Sequence, residues 1–529
     1  MKATKQLIKS LCVLTFFLSA MCCFNSSAQI AFKKKYQRSG TLHEANKIIE
    51  TNDGGFLIAG NADGATGVGF DIWLIKLNIA GDTLWTKLIG GSNNDTGLDV
   101  EQTHDDGYIV TGLTESFGAG NYDIYLIRLD ALGNLLWAKT YGEVGIDVGY
   151  AVEQTPDLGF IVAGQLQYPA SGNIDGCVLK VDSLGNVLWS ELIGATFPDQ
   201  LYSITKTSNG SYLIGGVERV SNTVAHILLI NMNDAGDTLW TKRYDMGGYA
   251  FNPVSKELNN SFLISGSTTQ SPSTFNDFFA LNIDSTGNVN WAKLYPVQND
   301  DYCSAIELQQ SGNYILSGFS SPAQSPDFDI TYITIDDSGN VLNTRIFPSS
   351  NMEISNSSVY TTQGCYAAVA NELDFSTGNQ TATFSKTDSL LNPACGYRDT
   401  VINSVNISPQ NLNPFLSISS WSGGNAFAPN VNSGLTDSTV CAVFTDLSNP
   451  ISILVPNVFP NPFDDYVQIN INKKSNYKIT VLDIVGKEII STTTNSMQIK
   501  LEMNGFVKGI YLLSITSKEG TYYQKLIKG

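Results

Sequence analysis

Short apolar runs separated by turn residues recur along most of the chain. In Ile124-Tyr125-Leu126-Ile127-Arg128-Leu129 the apolar, β-branched and aromatic residues are almost unbroken, as in a strand buried on both faces. The runs Leu98–Thr103, Tyr108–Thr111 and Leu135–Thr140 around it are equally short, with Asp105-Asp106-Gly107 and Leu132-Gly133-Asn134 between them. Those turn residues tolerate left-handed backbone and close tight hairpins. The pattern predicts four short antiparallel strands as one structural unit.

The unit repeats. Trp85, Trp137, Trp189, Trp240 and Trp291 are spaced by 52, 52, 51 and 51 residues, and the period continues through Asn343 to Cys395 and back to the neighbourhood of Phe32. A second register runs Phe56, Tyr108, Phe160, Tyr212, Phe262, Tyr314 and Tyr366, and a third runs Gly60, Gly112, Gly164, Gly216, Gly266, Gly318 and Ala370. Three registers agree on seven units. Four strands in roughly 40–50 residues, repeated, are expected to form blades around an axis. The fold class predicted is all-β, a seven-bladed β-propeller over 29–395, followed by a small Ig-like β-sandwich.

Ring closure is part of this expectation. The seventh unit has a degenerate fourth strand at Asn392-Pro393-Ala394-Cys395, whereas Ile30–Tyr36 resembles a fourth strand with no unit of its own. The N-terminal strand is therefore expected to complete the last blade, removing two open edges. The Asn- and Ser-rich residues 396–450 carry no repeat and are expected to form an irregular extension or linker on that blade.

The motifs Gly-Gly-Ser-Asn-Asn-Asp (90–95), Gly-Tyr-Ile-Val-Thr-Gly (107–112), Tyr122–Leu129 and Leu-Gly-Asn-Leu-Leu-Trp (132–137) resemble the SBBP-type β-propeller repeat. That family implies an exported bacterial protein with no shared enzymatic activity. The stretch Asp130 to Trp137 is also similar to the quinoprotein propeller repeat, in which the tryptophan docks one blade on the next.

Both ends of the chain carry targeting features. Lys2 and Lys5, the apolar run Leu11–Leu18 and the small residues Ser26-Ser27-Ala28 have the order of a secretory signal peptide over 1–28, cleaved after Ala28; lipidation at Cys22 or Cys23 is the alternative. Alternating strands return in 451–529. Pro460-Asn461-Pro462-Phe463, Asp483-Ile484-Val485-Gly486-Lys487, Gly509-Ile510-Tyr511-Leu512 and Lys525–Lys528 closely resemble the type A C-terminal sorting domain of type IX secretion in Bacteroidota. The resemblance implies two partners, a type IX translocon and a surface sortase. It also implies an extracellular or outer-membrane-surface location.

Composition narrows the remaining choices. The net charge of −18 offers no basic face for a nucleic-acid partner. No apolar run after the leader is long enough to span a bilayer as a helix. Five cysteines remain beyond the leader, with Cys395 and Cys441 the candidate disulfide because they flank the unpatterned segment. No Cys/His cluster marks a metal site, and no cofactor is expected.

Two acidic series approach the face that carries the variable loops. Asp95, Asp147, Asp199, Asp301 and Glu353 precede the innermost strands, near the mouth of the central channel. Asp71, Asp123, Asp175, Asp277 and Asp329 open the third strands, with His226 and Thr381 in the other two units. As a ring they would face a cation or sugar hydroxyls; as repeated turn residues each would cap its own loop, which explains the recurrence more economically. His43, His104 and His226 sit in no nucleophile motif, so a hydrolase has no visible parts. The expectation is a non-enzymatic binding module for an unknown glycan or protein ligand. The alternative is a carbohydrate-active enzyme with carboxylates at the channel mouth.

Overall fold

The computed structural model describes residues 29–445 and 457–528, apart from 39, 65–67, 168–171, 195, 271–274, 323–326, 389–391, 393–396, 413–416, 420–424, 428–429, 433–435, 460–462, 464, 472–473, 483–487 and 518–519. The leader and its cleavage site at Ala28 lie outside the described residues, as do Cys395 and the side chain of Cys441. The chain divides into two compact units, Met1–Thr445 and Asp446–Gly529.

The first unit is a seven-bladed propeller of four-stranded antiparallel blades. Blades 1 to 6 span His43–Gly90, Asp95–Tyr141, Val148–Gly194, Asp199–Asp245, Gly248–Tyr295 and Asp300–Phe347. Blade 7 takes three strands from Met352–Lys386 and its fourth from the N-terminal strand Gln29–Gln37, which pairs antiparallel with Gln380–Lys386. Second and third strands are buried on both faces, for example Ile124 to Leu129 throughout, which is why their sequences read as continuous apolar runs.

The first strand of every blade carries a β-bulge at one register, as between Ala45 and Lys47, Gly97 and Asp99, and Gly149 and Ala151. The extra residue turns toward the axis: Asn46, Leu98, Tyr150, Tyr202, Ser304 and Asn356 all line the central cavity. Opposite the bulge sits the periodic glycine. A Cβ on Gly112 would lie 1.9 Å from the Thr96 carbonyl oxygen, and one on Gly164 2.0 Å from that of Val148. The bulge needs that close backbone approach, so the glycine register marks it.

Blades dock through the tryptophan register. In each third-to-fourth hairpin a glycine holds a left-handed conformation, with φ near +74° at Gly133 and +75° at Gly185. The preceding blade's tryptophan covers it: Trp85 lies on Gly133, Trp137 on Gly185, Trp189 on Gly236, Trp240 on Gly287 and Trp291 on Gly339. The indole N–H of Trp137, Trp240 and Trp291 donates to a carbonyl of the same turn at 3.0–3.1 Å. A tyrosine hydroxyl of that strand donates to the glycine carbonyl itself, Tyr141 to Gly185 at 2.7 Å and Tyr295 to Gly339 at 2.9 Å. At the closing interface Phe32 takes the tryptophan's place over Gly81, and Tyr36 donates to the Gly81 carbonyl at 2.6 Å.

Residues 398–445 correct the expectation of an irregular extension on the last blade. They run back around the ring as a belt, against the order of the blades. Arg398–Thr400 pairs with the outer strand of blade 6, Val405–Asn406 with blade 5, Gln410–Leu412 with blade 4 and Ser417–Ser419 with blade 3. Asn425–Phe427 and Asn430–Asn432 then pair with blades 2 and 1. Thr436–Thr445 ends the circuit on the N-terminal strand, so Gln29–Gln37 is held from both sides. The belt lacks apolar periodicity because backbone hydrogen bonding to an open edge asks little of side-chain type.

The second unit is a small β-sandwich. A three-stranded sheet (Asn457–Phe459, Tyr466–Asn470, Gln498–Glu502) faces a four-stranded one (Tyr477–Leu482, Glu488–Thr494, Gly509–Ser517, Gly520–Lys528). Val467, Ile469, Ile479, Val481, Leu513, Ile515 and Leu526 form its core.

Two measurements check this architecture. Gly133→Ala adds a Cβ within 2.9–3.1 Å of the Trp85 ring, whereas Gly210, at φ +86°, has no atom within 4 Å of its Cβ position. In urea titrations Gly133→Ala should cost about 1–3 kcal/mol and more than Gly210→Ala; equal losses would show that the tryptophan contact contributes nothing. A chain ended at residue 396 exposes the outer edges of all seven blades and should self-associate in light scattering. A monodisperse monomer of unchanged melting point would refute the belt's role.

Candidate functional site

The acids expected at the channel mouth are buried. Asp95, Asp147, Asp199 and Asp301 are 0% exposed and Glu353 1%. Each has a partner within the protein. Asp95 accepts from Gly91 N–H at 2.7 Å, Asp147 from Glu143 N–H at 2.6 Å and Gln167 N–H at 2.8 Å, and Asp301 from Val297 N–H at 2.7 Å. Asp199 accepts from Arg219 N–H at 3.1 Å, and Glu353 pairs with Lys33 of the closing strand. The second acidic series meets the first across successive blades: a Cβ on Gly142 would strike both Asp123 and Asp147. Burial, with the neighbouring acid adding to it, pushes the Asp147 carboxyl up to about 7 and that of Asp301 to about 6.

The Asp-x-x-Gly turns follow the same logic. Asp130 accepts from Leu132 N–H at 2.9 Å and Asn134 N–H at 2.8 Å, which fixes the hairpin whose glycine the tryptophan covers. Among the described residues no group of three or more His, Cys, Asp or Glu is placed to hold a metal ion.

The channel itself is a cavity of about 590 Å³ lined by the first strands of all seven blades. Its charges do not repeat from blade to blade. Lys47 pairs with Asp99 at 3.0 Å and Lys256 with Glu307 at 3.2 Å. Glu101 and Glu153 occupy equivalent places on adjacent blades; burial, and then Glu153, holds the Glu101 carboxyl well above its ordinary range, and burial also raises Glu153.

Where the first strands of blades 3 to 6 reach the loop face, an arc of half-buried aromatic side chains departs from the repeat. Tyr150 and Tyr202, the bulge residues of blades 3 and 4, pack at 5.0 Å between ring centroids. Their hydroxyls donate to Gln165 at 3.1 Å and Gln200 at 2.5 Å, and burial keeps both protonated. On blades 5 and 6 a second run packs Tyr249 on Phe251 (6.4 Å), Phe251 on Tyr302 (5.7 Å) and Tyr302 on Phe319, stacked at 4.9 Å with a 20° interplanar angle. Phe328 packs edge-on against both Tyr302 and Phe319. Polar groups border it: Asn276 donates to the Tyr302 hydroxyl at 2.9 Å, and Arg219 lies over the Tyr249 ring at 5.3 Å. In blades 1, 2 and 7 the register of Tyr302 holds Glu44, Thr96 and Ile354, and that of Phe319 holds Asn61, Leu113 and Asn371. Sequence reasoning missed this arc because it followed what recurs; the available signal was large aromatics in otherwise polar first strands.

In the second unit Phe463 and Tyr511 are buried, with ring centroids 6.5 Å apart, and the Lys528 ammonium lies 5.5 Å from the Phe463 ring. The Tyr511 hydroxyl donates to the Val507 carbonyl at 2.7 Å, and Gly509 opens the strand that carries Tyr511. Pro460, Asn461, Pro462 and Gly486 lie outside the described residues.

Comparison with known proteins bears on this unit most directly. Residues 457–529 match the family model of the secretion system C-terminal sorting domain. That domain supports export to the cell surface or outer membrane and interaction with the secretion system. No curated protein matches the sequence. Among solved structures, Trypanosoma rangeli sialidase in complex with the inhibitor DANA is 8% identical, covering 93% of this chain and 89% of its own, at a TM-score of 0.34. A subtype N11 neuraminidase-like protein of A/flat-faced bat/Peru/033/2010 is 12% identical over 54% of this chain and 85% of its own, at 0.32. A thermostable family-43 glycoside hydrolase is 11% identical over 58% and 92%, at 0.27. Scores this low carry no site residue across. No helix among the described residues is long and apolar enough to cross a membrane.

The buried acids give a pH dependence with a definite sign. Asp147, Asp301 and Asp277 titrate near 7, 6 and 6 in the folded chain, above an unfolded value of about 3.9. The native state therefore holds more protons than the unfolded one between these limits, so the stability they contribute is full below about pH 4 and is lost as pH rises through 6–7. The melting midpoint should fall from pH 5 to pH 8, and Asp147→Asn should flatten that slope. A midpoint that rises over the range contradicts the assignment.

Proposed function

We propose that the protein is an exported binding module whose propeller holds a glycan on the aromatic arc of blades 3 to 6, with the C-terminal unit as its delivery signal. The carrying observation is the arc: seven half-buried aromatic side chains on blades 3 to 6, a Tyr150–Tyr202 pair and a packed run from Tyr249 to Phe328, bordered by Gln165, Gln200, Asn276 and Arg219. Structural residues of a repeat recur, whereas Tyr302 and Phe319 are replaced by polar or aliphatic residues in blades 1, 2 and 7. Flat aromatic faces with hydrogen-bonding groups at their edges suit a sugar ring, which has an apolar face and equatorial hydroxyls. The rigid ring beneath fixes their spacing, so little ordering is required on binding.

The channel carboxyls favour a second reading, a carbohydrate-active enzyme. A carboxyl raised toward neutrality beside a cavity has the protonation state of a general acid, and Glu153 meets that condition.

A glycan array paired with a hydrolysis screen on the same sugars separates the two. The binding reading expects retention without turnover, reduced about tenfold or more in Tyr302→Ala with the melting point little changed. Turnover abolished by Glu153→Gln would establish the enzyme instead. Silence in both assays removes both.

A further inference from the structure

The arc contains one cation, and its partners are unusual for this chain. Three other arginines of the propeller are matched to acids: Arg128 to Asp105 at 2.6 Å, Arg243 to Glu218 at 2.8 Å and Arg345 to Asp399 at 2.9 Å. Arg219 is held differently. Its Nε donates to the Tyr249 hydroxyl at 2.5 Å and its guanidinium lies over the same ring, while among the described residues no carboxylate pairs with it. The acids nearest in sequence and register are occupied elsewhere. Glu218 is taken by Arg243, and Asp199, fully buried, accepts from the Arg219 backbone rather than from its side chain.

This arrangement fixes the plane of the guanidinium through Nε and the ring contact, and leaves the two terminal nitrogens without an acid. A planar fork of two parallel N–H donors is complementary to a carboxylate, and stacking on Tyr249 pre-orders it. Arg219 closes the second strand of blade 4 and is half-buried, so part of its hydration is already removed before a ligand arrives.

We propose that the sugar recognised on this arc carries a carboxylate, a uronic-acid-type residue, which Arg219 binds through its terminal nitrogens while the ring stacks on the neighbouring aromatics. This rests on the carbohydrate-binding reading above. The net charge of −18 repels polyanions at long range, so retention of an acidic sugar reports a local contact rather than general adhesion.

The test uses the full mature chain and calorimetric titration with galacturonic-acid oligomers and with glucuronic-acid-bearing xylo-oligosaccharides. Each is compared with its carboxyl-reduced counterpart, which keeps the ring and loses the charge. The acidic form should bind at least tenfold tighter. Arg219→Gln should bring its affinity down to that of the reduced form without affecting the latter, and Arg219→Lys, which keeps the charge but not the fork, should recover only part of the difference. Melting curves of both variants check that the blade is intact. Equal affinity for acidic and reduced oligomers, or discrimination that survives Arg219→Gln, overturns the role of Arg219 while leaving glycan binding in place. Failure of every oligomer and every neutral glycan to bind overturns glycan binding as well.

Discussion

The propeller depends on a single contact made at successive blade interfaces: an aromatic side chain of one outer strand lying on a left-handed glycine in the next blade's hairpin. The contact is selective on both sides. The glycine is required by its positive φ and again because the indole occupies the space a Cβ would need. The tyrosine hydroxyl that reaches the same glycine's carbonyl, and the indole N–H that reaches a second carbonyl of the turn, tie a polar loop to an apolar interface without leaving a buried donor unmatched. The turn is held internally by its leading aspartate, so the surface presented to the tryptophan is rigid before docking. Local turn chemistry and long-range packing therefore constrain the same few residues, which is why their spacing persists while the loops between them vary.

That coincidence explains what could be read in the sequence. The all-β propeller and the small C-terminal sandwich were legible because tryptophan, aromatic and glycine registers each report a different contact of one unit: the blade dock, the buried hairpin and the first-strand bulge. The belt was not legible. Its segments of two or three paired residues join outer strands chiefly by backbone hydrogen bonds, so the composition of 398–432 needs no alternation. The acids illustrate a different difficulty. Their periodicity was visible, but periodicity alone does not say whether a carboxylate points to solvent or into the protein; burial at 0–1% decides that for Asp95, Asp147, Asp199, Asp301 and Glu353.

Closure follows from the same edge physics. Each blade has two edge strands, the first at the axis, where it faces the narrow central channel, and the fourth at the rim. The N-terminal strand removes the deficit of blade 7, and the belt covers part of every rim strand before returning to that N-terminal strand. The two ends of the propeller chain thus meet on adjacent strands of one blade. Gln29–Gln37 is held by two ladders, one on each side, and the belt makes its longest pairing there, at Thr436–Thr445. Unpaired edges are the usual route to association between β-proteins, so a chain bound for the cell exterior gains protection from a segment that looks like a linker.

Where function sits follows from the difference between what recurs and what does not. A side chain required by every blade is present in every blade, and selection on a ligand cannot be distinguished from selection on the fold there. The buried aspartates, the dock and the bulge glycine all belong to that class. The aromatic arc does not: Tyr150, Tyr202, Tyr249, Phe251, Tyr302 and Phe319 lie on blades 3 to 6, and in blades 1, 2 and 7 the registers of Tyr302 and Phe319 hold polar or aliphatic residues, whereas Phe328 has aromatic counterparts in Phe70 and Tyr122. Half-exposed aromatic surface carries a solvation cost that the fold does not require, since blades 1, 2 and 7 close without it. A ligand that covers the arc removes that cost, and the absence of seven-fold repetition is what gives such a ligand a single orientation on an otherwise pseudo-symmetric ring.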